Sequence, residues 1–444
     1  MKRRDLFGAG AGAVLGGSAA LLSTTAKAAR VGPQWESTYS GGTLDVKPKP
    51  PVLPGPDGYR PVIVPNGGAV PFEVVDGVKV FHITASEMEH EFTPGLKTLC
   101  WGYNGRVNST VIEAVEGERI RIYVTNKLHV PTSVHWHGLY LPNGMDGVSG
   151  LTQRPIEPGE TFKYEWTLRQ YGTYMFHSHH DTMTQEAMGL IGSFIVHPRN
   201  PAADERVDRD FTLLMSEWSV EPGSRRPNPM EMTDFNILTF NGRAFPGTDP
   251  LVVKTGERVR IRLGNLSAMD HHPIHLHGFR FKITATDGEK IPKSAQWPET
   301  TTLVAVGQTR DIEFVADAPG DWIMHCHMTH HIMNQMGHDL PNLLGIDPKK
   351  FDGKVQSLVP GYMTMGQKGM SGMSGMKMPT TANSVAMKNT PGPFAKLSMG
   401  GMFTILKVRD ELSSYDDPGW YEHPPGTVAE AATADELKRD GIKL

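Results

Sequence analysis

The sequence is poor in several features that stabilise or anchor other proteins. It contains only two cysteines, Cys100 and Cys326, so a framework of disulfide bonds is not expected. Beyond about residue 22 it has no apolar run long enough to span a membrane. Its 44 basic and 48 acidic side chains nearly balance, which argues against nucleic-acid binding. Cys100, which precedes Trp101, is predicted to be a small buried core residue.

The N-terminus has the composition of a targeting segment. A basic Lys-Arg-Arg triplet at residues 2–4 precedes an apolar stretch rich in glycine, alanine and leucine, and Ala-Lys-Ala at 26–28 fits a small-residue cleavage site. This order predicts a twin-arginine export signal over residues 1–28. The protein is therefore expected to be periplasmic or secreted.

The region after the signal predicts an extended arm followed by β-strands. Residues 29–71 are rich in proline and glycine and are expected to form an arm rather than a domain. From there, polar and apolar side chains alternate in short segments, most clearly at 119–124 and 258–263. Such alternation is typical of half-buried strands, so the sequence predicts an all-β protein.

An internal repeat divides the β region in two. A Gly-Glu-Arg triplet at 117–119 precedes a His-x-His pair by 18 residues, and the same triplet at 256–258 precedes another pair by 19. In both halves, a second pair follows a Gly-x-Thr triplet by 18 residues. The repeat predicts two consecutive Greek-key β-sandwich domains. Their predicted ranges are 72–199 for the first domain, and 206–345 with 401–410 for the second.

Four His-x-His pairs occupy matched places in the two repeats. The pairs are His135 and His137, His177 and His179, His275 and His277, and His325 and His327. Because alternate side chains of a strand share a face, each pair is predicted to project both rings from one side. Eight imidazoles in this arrangement suit a cluster of three coppers.

The last pair also flanks Cys326, which has His331 five residues and Met336 ten residues further on. Strand alternation places the Cys326 thiol on the face opposite to His325 and His327. One thiolate, two imidazoles and a weakly bound thioether form the ligand set of a blue, one-electron copper site. This segment supplies all but one imidazole of that set.

Superposition of the repeats identifies the remaining imidazole. His272 precedes the third His-x-His pair by three residues, and Thr132 stands at the matching position of the first repeat. Ser178 stands where the second repeat has Cys326, Met183 stands where it has His331, and Met188 matches Met336. The second repeat alone is therefore predicted to hold a blue copper, with His272 as its second imidazole ligand.

Taken in order, the motifs His-Trp-His-Gly, His-Ser-His, His-Pro-Ile-His-Leu-His-Gly and the His-Cys-His cluster resemble the four copper motifs of the multicopper oxidases. The resemblance covers residues 72–345 and implies that both domains are cupredoxin-like. Only 93 residues separate His179 from His272, too few for an additional domain, so the chain resembles the two-domain laccase-like oxidases. In that group the trinuclear cluster forms between subunits, which implies a homotrimer.

The resemblance also implies a role for each ligand. It implies type 1 ligation by His272, Cys326, His331 and Met336, type 2 ligation by His135 and His275, and type 3 ligation by His137, His177, His179, His277, His325 and His327. The implied cofactor is four coppers per catalytic unit: one type 1, one type 2 and a type 3 pair. In this family electrons from a reducing substrate enter at the type 1 copper and pass through Cys326, and dioxygen is reduced to water at the other three.

Protons must also reach that cluster. Asp146, nine residues after His137, matches the acid that in this family hydrogen-bonds through water to the type 2 copper. The alternative interpretation is a plain turn aspartate. A second acid, which copper-efflux oxidases carry in the last motif, is replaced here by Ile332, so the source of the remaining protons stays open.

The reducing substrate is predicted only as one of two classes. Segment 361–400 is rich in methionine, has few other apolar side chains, and is predicted to be flexible. Thioethers select Cu(I), which favours Cu(I) itself as substrate; phenolic or aromatic donors are the other class. The predicted Cu(I) ligands are Met363, Met365, Met370, Met373, Met376 and Met378. A low-complexity loop without a ligand is the alternative interpretation of this segment.

Two other functions stay open. A copper-binding or electron-transfer protein of copper homeostasis would not reduce dioxygen, and it would not need the eight cluster histidines. A copper nitrite reductase-like enzyme keeps its type 1 copper in the first domain, where this chain has Ser178. The tail over 411–444 is predicted to contain one short helix near 432–439 and no chemistry.

Overall fold

The computed structural model describes residues 47–221, 223–333, 352–358, 383 and 390–444, without the side chains of residues 204, 352 and 356. The predicted export signal, the first part of the arm, Met336 and the methionines predicted to bind Cu(I) lie outside the described residues. In the part of the chain that is described, no helix is both long and apolar enough to cross a bilayer.

The first domain consists of two β-sheets that share a core. Its strands are β1 (Gly68–Ala69), β2 (Phe72–Val75), β3 (Val78–Thr93), β4 (Leu96–Tyr103), β5 (Thr110–Val115), β6 (Arg119–Asn126), β7 (Thr161–Thr167), β8 (Gly172–His177) and β9 (Ile191–His197). One sheet has the order β1-β5-β9-β8, and the other has the order β2-β3-β6-β7 with β4 paired to β3. The buried ring of Trp136 contacts Trp166 of one sheet and Phe194 of the other, which fixes the two layers face to face.

The second domain has the same two-layer construction. Its strands are β10 (Arg209–Trp218), β11 (Ile237–Phe240), β12 (Leu251–Lys254), β13 (Arg258–Asn265), β14 (His272–Leu276), β15 (Phe281–Thr286), β16 (Glu289–Lys290), β17 (Pro298–Glu299), β18 (Thr301–Val304), β19 (Thr309–Val315), β20 (Gly320–Cys326), β21 (Thr390–Pro391), β22 (Lys396–Leu397) and β23 (Phe403–Arg409). Strands β21 and β22 pair with each other in a separate ribbon. One sheet has the order β11-β10-β13-β19-β15-β16 with β17 paired to β15, and the other has the order β12-β23-β20-β14-β18. Apolar side chains from both sheets form one core.

Strand pairing repeats between the domains. β3 runs parallel to β6, and β6 is antiparallel to β7; β10, β13 and β19 repeat this arrangement. Likewise β9 lies between β5 and β8, and β23 lies between β12 and β20 with the same directions. The sequence repeat is thus a structural repeat, and the all-β fold predicted from it is confirmed.

The two segments with the clearest alternation form strands β6 and β13. Their apolar side chains are buried in the sandwich cores, which explains the period of two. The first domain begins slightly before residue 72, because β1 pairs with β5. Cys100 is fully buried, as predicted.

The arm before β1 contacts both domains. The Val52 amide donates to the Glu118 carboxylate of the first domain at 2.6 Å. Further along, the Ile63 amide donates to the Asp210 carbonyl of the second domain at 2.7 Å. Glu118 is fully buried and paired with the equally buried Lys79 at 2.8 Å, so its charge is compensated.

The two domains meet through apolar and charged contacts. Met175 and Ile191 of the first domain pack with Leu214 and Leu266 of the second. Beside them, Arg262 donates to the Thr173 hydroxyl of the first domain at 2.8 Å. The interface therefore combines apolar packing with a hydrogen bond from a buried charged side chain.

Helices are few among the described residues. They are α1 (Thr182–Ala187), α2 (Asp352–Leu358) and α3 (Ala434–Arg439), and single turns of 3₁₀ helix occur at Asn143–Met145, Ala203–Glu205, Lys293–Ala295 and Thr329–Ile332. α3 is the short helix predicted near the C-terminal end, and Thr433 caps it by accepting from the Glu436 amide. α1 directly follows the second histidine pair and belongs to the site described next.

Candidate metal centres

Three predicted ligands converge in the core of the second domain. The Cys326 Sγ atom lies 3.7 Å from His272 Nδ1 and 3.5 Å from His331 Nδ1, and the two Nδ1 atoms are 3.2 Å apart. All three residues are buried. His272 begins β14 and Cys326 ends the neighbouring strand β20, while His331 comes from the turn that follows. We refer to this group as the mononuclear site.

Polar groups contact the Nε2 atoms of both imidazoles, on the side away from Cys326. The Ser267 hydroxyl lies 2.6 Å from His272 Nε2, and an Asp270 carboxylate oxygen lies 3.4 Å from His331 Nε2. Both rings therefore turn their Nδ1 atoms towards Cys326. This arrangement leaves two nitrogens and one sulfur directed at a common point.

The protonation of these groups suits a soft metal. Burial lowers the pKa of His272 to about 3 and also lowers the pKa of His331, so both imidazoles are neutral and able to donate a lone pair. Burial raises the pKa of the Cys326 thiol to about 12, so a bound metal must displace its proton. A thiolate with two imidazoles is the donor set of a blue copper, and the residues present fit that ion. Met336, the predicted axial ligand, lies outside the described residues.

The four histidines of the first domain form a second group, which we call the first-domain cluster. Its ring centroids are 5.3 to 6.1 Å apart between neighbours. Donor atoms of His135, His137 and His177 all lie within 4.8 Å of one another. The prediction that each pair lies on a strand is only partly right here. His135 makes a single bridge to His177, and the chain leaves the sheet at Gly138, where φ is +84°.

Acceptor groups of Asp146 and Glu186 help to set the orientation of the first-domain rings. His135 Nδ1 is 2.9 Å from the Asp146 carbonyl oxygen and 3.4 Å from its carboxylate. His177 Nδ1 is 2.6 Å from a Glu186 carboxylate oxygen. These contacts leave the Nε2 atoms of both rings for a metal. His137 is turned the other way, with Nδ1 3.3 Å from His177 Nε2 and a hydrogen bond to the Gly307 backbone of the second domain.

Burial and neighbouring charge act differently on these imidazoles. Burial, with the nearby His177 and His135, lowers the pKa of His137 to about 4. Burial also opposes protonation of His177, but the hydrogen bond and negative charge of Glu186 outweigh it and raise the pKa of that ring. A carboxylate placed on one ring nitrogen makes the other a better donor to a metal.

The four histidines of the second domain form the second-domain cluster, with neighbouring ring centroids 4.8 to 5.7 Å apart. His275 Nδ1 lies 2.7 Å from the Thr300 carbonyl and 2.8 Å from the Thr301 hydroxyl, so its Nε2 is free for a metal. The Nε2 atoms of His277 and His325 are 3.3 Å apart. Each cluster thus offers four imidazoles from one domain.

Cys326 connects the mononuclear site to the second-domain cluster through the chain itself. Its thiol faces His272 and His331, whereas the rings of its neighbours His325 and His327 belong to the cluster. His325 Nδ1 also lies 2.7 Å from the Cys326 carbonyl oxygen. The opposite orientation of adjacent side chains is the one that strand alternation predicts.

Several polar residues at these sites were not found from the sequence. Ser267 and Asp270 lie on the loop before β14, and Glu186 lies on α1. Thr300 directly precedes β18, and Thr301 begins it. Asp146 was predicted, and it contacts His135 directly. Only the short distance of Ser267 and Asp270 from His272 in the chain could have indicated their position, because the other contacts depend on how loops pack.

Glu217 is a further acid behind the mononuclear site. Its carboxylate accepts from the backbone amides of Met269 and Asp270 at 2.5 and 3.1 Å. Burial, together with the nearby charge of Asp270, raises the pKa of Glu217 to about 8. This residue therefore fixes the loop that carries Asp270 and leads into His272.

Comparison with known proteins agrees with these centres. Among curated proteins, the chain is 28% identical over 291 residues to copper resistance protein A of Escherichia coli, covering 54% of this chain and 45% of that protein. It is 29% identical over 300 residues to laccase-2 of Botryotinia fuckeliana, covering 58% of this chain and 50% of that protein. The chain therefore spans about half the length of these relatives.

A solved structure named multicopper oxidase mgLAC is similar over most of both chains. It covers 77% of this chain and 91% of its own, at 25% identity and a TM-score of 0.56. The two sandwiches described above are accordingly cupredoxin-like domains. Two family models, both described as multicopper oxidase, match residues 84–201 and 221–343, which together are more than half of the sequence. The chain belongs to the multicopper oxidase family.

Proposed function

We propose that the protein is an oxidase that couples one-electron oxidation of a reducing substrate to four-electron reduction of dioxygen to water. The position of Cys326 carries this proposal, because one residue contributes a thiol to the mononuclear site while both neighbours contribute imidazoles to a histidine cluster. A short covalent path for electrons follows from that connection. An electron carrier would need the mononuclear site alone.

The proposed cofactor is four coppers. Type 1 copper is assigned to His272, Cys326, His331 and Met336, type 2 to His135 and His275, and the type 3 pair to His137, His177, His179, His277, His325 and His327. When bound, the coppers supply one-electron transfer at the mononuclear site and oxygen reduction at the cluster. His272 and His331 keep their Nδ1 atoms towards Cys326 because Ser267 and Asp270 hold the opposite nitrogens. Burial excludes water from the thiol.

Asp146 is the proposed acid for proton delivery. Its backbone carbonyl holds His135 Nδ1, and its carboxylate, 30% exposed, lies beside the same ring nitrogen. The side chain therefore connects solvent with the histidine assigned to type 2 copper. Residue 332 is an isoleucine, so the second acid of copper-efflux oxidases is replaced by an apolar side chain here.

Oxygen uptake by the copper-loaded protein tests this function. With a phenolic or other one-electron donor, the wild-type chain is expected to consume dioxygen without releasing peroxide. Cys326→Ser removes the thiolate and should abolish donor-dependent uptake, whereas Cys100→Ala should keep it because Cys100 lies in a different core. No uptake by the loaded wild-type protein would reject the proposal. Nitrite reduction under argon would instead favour the nitrite reductase alternative, although Thr132 and Ser178 leave no thiolate at the matching position of the first domain.

The substrate is proposed to be either a phenolic or aromatic donor or Cu(I). A relative named copper resistance protein A supports the second class, and relatives named laccase support the first. Deletion of residues 363–378 distinguishes them. Loss of Cu(I) oxidation with phenol oxidation kept or increased supports a cuprous role for the methionines, and unchanged rates for both donors reject it.

We further propose export to the periplasm or outside the cell by the twin-arginine route, from the basic triplet at 2–4 and the apolar stretch that follows. Replacement of Arg3 and Arg4 by lysine should leave the protein in the cytoplasm, as measured by cell fractionation. An unchanged distribution would contradict this route.

A further inference from the structure

The first domain has different side chains at the positions that match the mononuclear site. Thr132 bridges to Ile156 as His272 pairs with Val304 in the second domain. Three residues further along each chain segment, His135 bridges to His177 in the same way as His275 pairs with His325. Thr132 and Ser178 therefore occupy the structural positions of His272 and Cys326.

A buried glutamine fills this position in place of a metal. The Gln185 side-chain oxygen accepts from the Thr132 hydroxyl at 2.7 Å and from the Ser178 hydroxyl at 2.6 Å. Its amide nitrogen donates to the Pro131 carbonyl at 2.8 Å. Gln185 is 1% exposed, and these bonds engage both ends of its amide group. The network ties helix α1 to the two chain segments that carry the first-domain cluster.

The next residue of α1 is Glu186, whose carboxylate oxygen lies 2.6 Å from His177 Nδ1. The Ser178 carbonyl oxygen is also 3.0 Å from that nitrogen. Both neighbours are acceptors, so Nδ1 carries the proton and the lone pair of His177 is on Nε2. That atom faces the cluster, 3.3 Å from His137 Nδ1.

The second-domain counterpart of His177 is held differently. The His325 Nδ1 atom lies 2.7 Å from the Cys326 carbonyl oxygen, and no carboxylate contacts it among the described residues. The carboxylate contact therefore distinguishes the first-domain cluster from the second. It exists because Gln185 fixes the helix from which Glu186 reaches the ring.

We propose that Glu186 is a positioning residue for the paired-copper site, and that Gln185 anchors it in the space of a lost mononuclear site. This inference rests on the proposed function. A carboxylate that accepts from the distal nitrogen fixes the tautomer and the orientation of a ligating ring and increases its basicity. Glu186 thus orders His177 for metal binding before any copper arrives.

Copper affinity measured by chelator competition tests the inference. Glu186→Ala should weaken copper binding at the cluster about 10- to 100-fold, the usual effect of losing such a partner. Glu186→Gln keeps an acceptor oxygen and should weaken it less, and Gln185→Ala should weaken it through loss of the anchor. Thr182→Ala, at an exposed position of the same helix, is the matched control and should bind like the wild-type protein. Unchanged cluster affinity in Glu186→Ala overturns the proposal.

The blue absorption of the mononuclear site separates local from global effects, because it reports a folded second domain. Nitrogen NMR of the copper-free wild-type protein, at a pH high enough to make the His177 ring neutral, gives a test that needs no variant. The neutral ring should carry its proton on Nδ1, and a neutral ring protonated on Nε2 overturns the inference. If the wild-type protein holds no copper beyond the mononuclear site, the proposed oxidase function fails. If it holds the cluster coppers and Glu186→Ala binds them equally well, only the role of Glu186 is rejected.

Discussion

Glu217 shows how one buried acid affects the protein through pH. Burial raises its pKa from 4.5 to about 8, so the folded chain holds a proton that the unfolded chain releases above about pH 4.5. The contribution of Glu217 to the free energy of unfolding is therefore fully present at low pH and is lost as the pH rises towards 8. Glu217→Gln cannot ionise, so its stability relative to the wild-type protein should increase across that range.

Thermal unfolding of the copper-loaded proteins at a series of pH values measures this difference. Glu73→Gln, at an exposed position of β2, controls for the loss of a negative charge. A melting-temperature difference between Glu217→Gln and the wild-type protein that stays constant from about pH 5 to about pH 8 would contradict the assignment.

At the same scale, the sequence could predict ligands better than the groups that hold them. His272 follows from the repeat, since two copies of one domain place matched residues at matched positions. Glu186 could not be found this way, because its contact with His177 depends on a helix anchored by Gln185. Such contacts join loops and helices that share no periodic pattern.

At the scale of elements, Arg262 on β13 carries the charged part of the domain interface. It pairs with Asp210 at 2.8 Å and Asp311 at 3.3 Å, and all three side chains are buried. Arg262→Met would leave two carboxylates without their main partner, which should cost about 3–5 kcal/mol of unfolding free energy. Urea denaturation measures this cost.

Strand β6, the counterpart of β13 in the first domain, supplies a control with an exposed ion pair. Arg119 pairs with Glu165 at 3.0 Å, but its side chain is 38% exposed. Arg119→Met should therefore cost no more than about 1 kcal/mol. Equal losses for the two variants would contradict the prediction that burial increases the cost of breaking the Arg262 network.

The elements were predictable where burial repeats with a fixed period. Strands β6 and β13 follow from alternating side chains, and β23 was expected to return to the second domain. The strand predicted around His135 is instead an extended segment with a single bridge to His177, because Gly138 turns the chain away directly after the pair. A local turn overrides alternation in such a short segment.

For the whole molecule, the resemblance to two-domain oxidases predicts an assembly in which ligands from the two domains meet between subunits. Each domain supplies four imidazoles, whereas the proposed three-copper site needs eight. A head-to-tail ring, in which the first domain of one subunit faces the second domain of the next, brings both clusters together at every interface. The resemblance to two-domain oxidases predicts that this ring is a trimer. Sedimentation of the copper-loaded protein should give the mass of three chains, and a fully active monomer would contradict it.

Mixing two defective subunits tests whether the cluster is shared. A chain with His177→Ala lacks a first-domain ligand, and a chain with His277→Ala lacks a second-domain ligand, so each alone should be inactive. When both are refolded or expressed together, an interface that joins the intact first domain of one to the intact second domain of the other has all eight histidines. Random assembly in a ring makes about one quarter of the interfaces complete, so about one quarter of wild-type oxygen uptake should return. Because a cluster built within one chain would be defective in every subunit, no recovery in a verified mixed oligomer would show that the domains do not share ligands between chains.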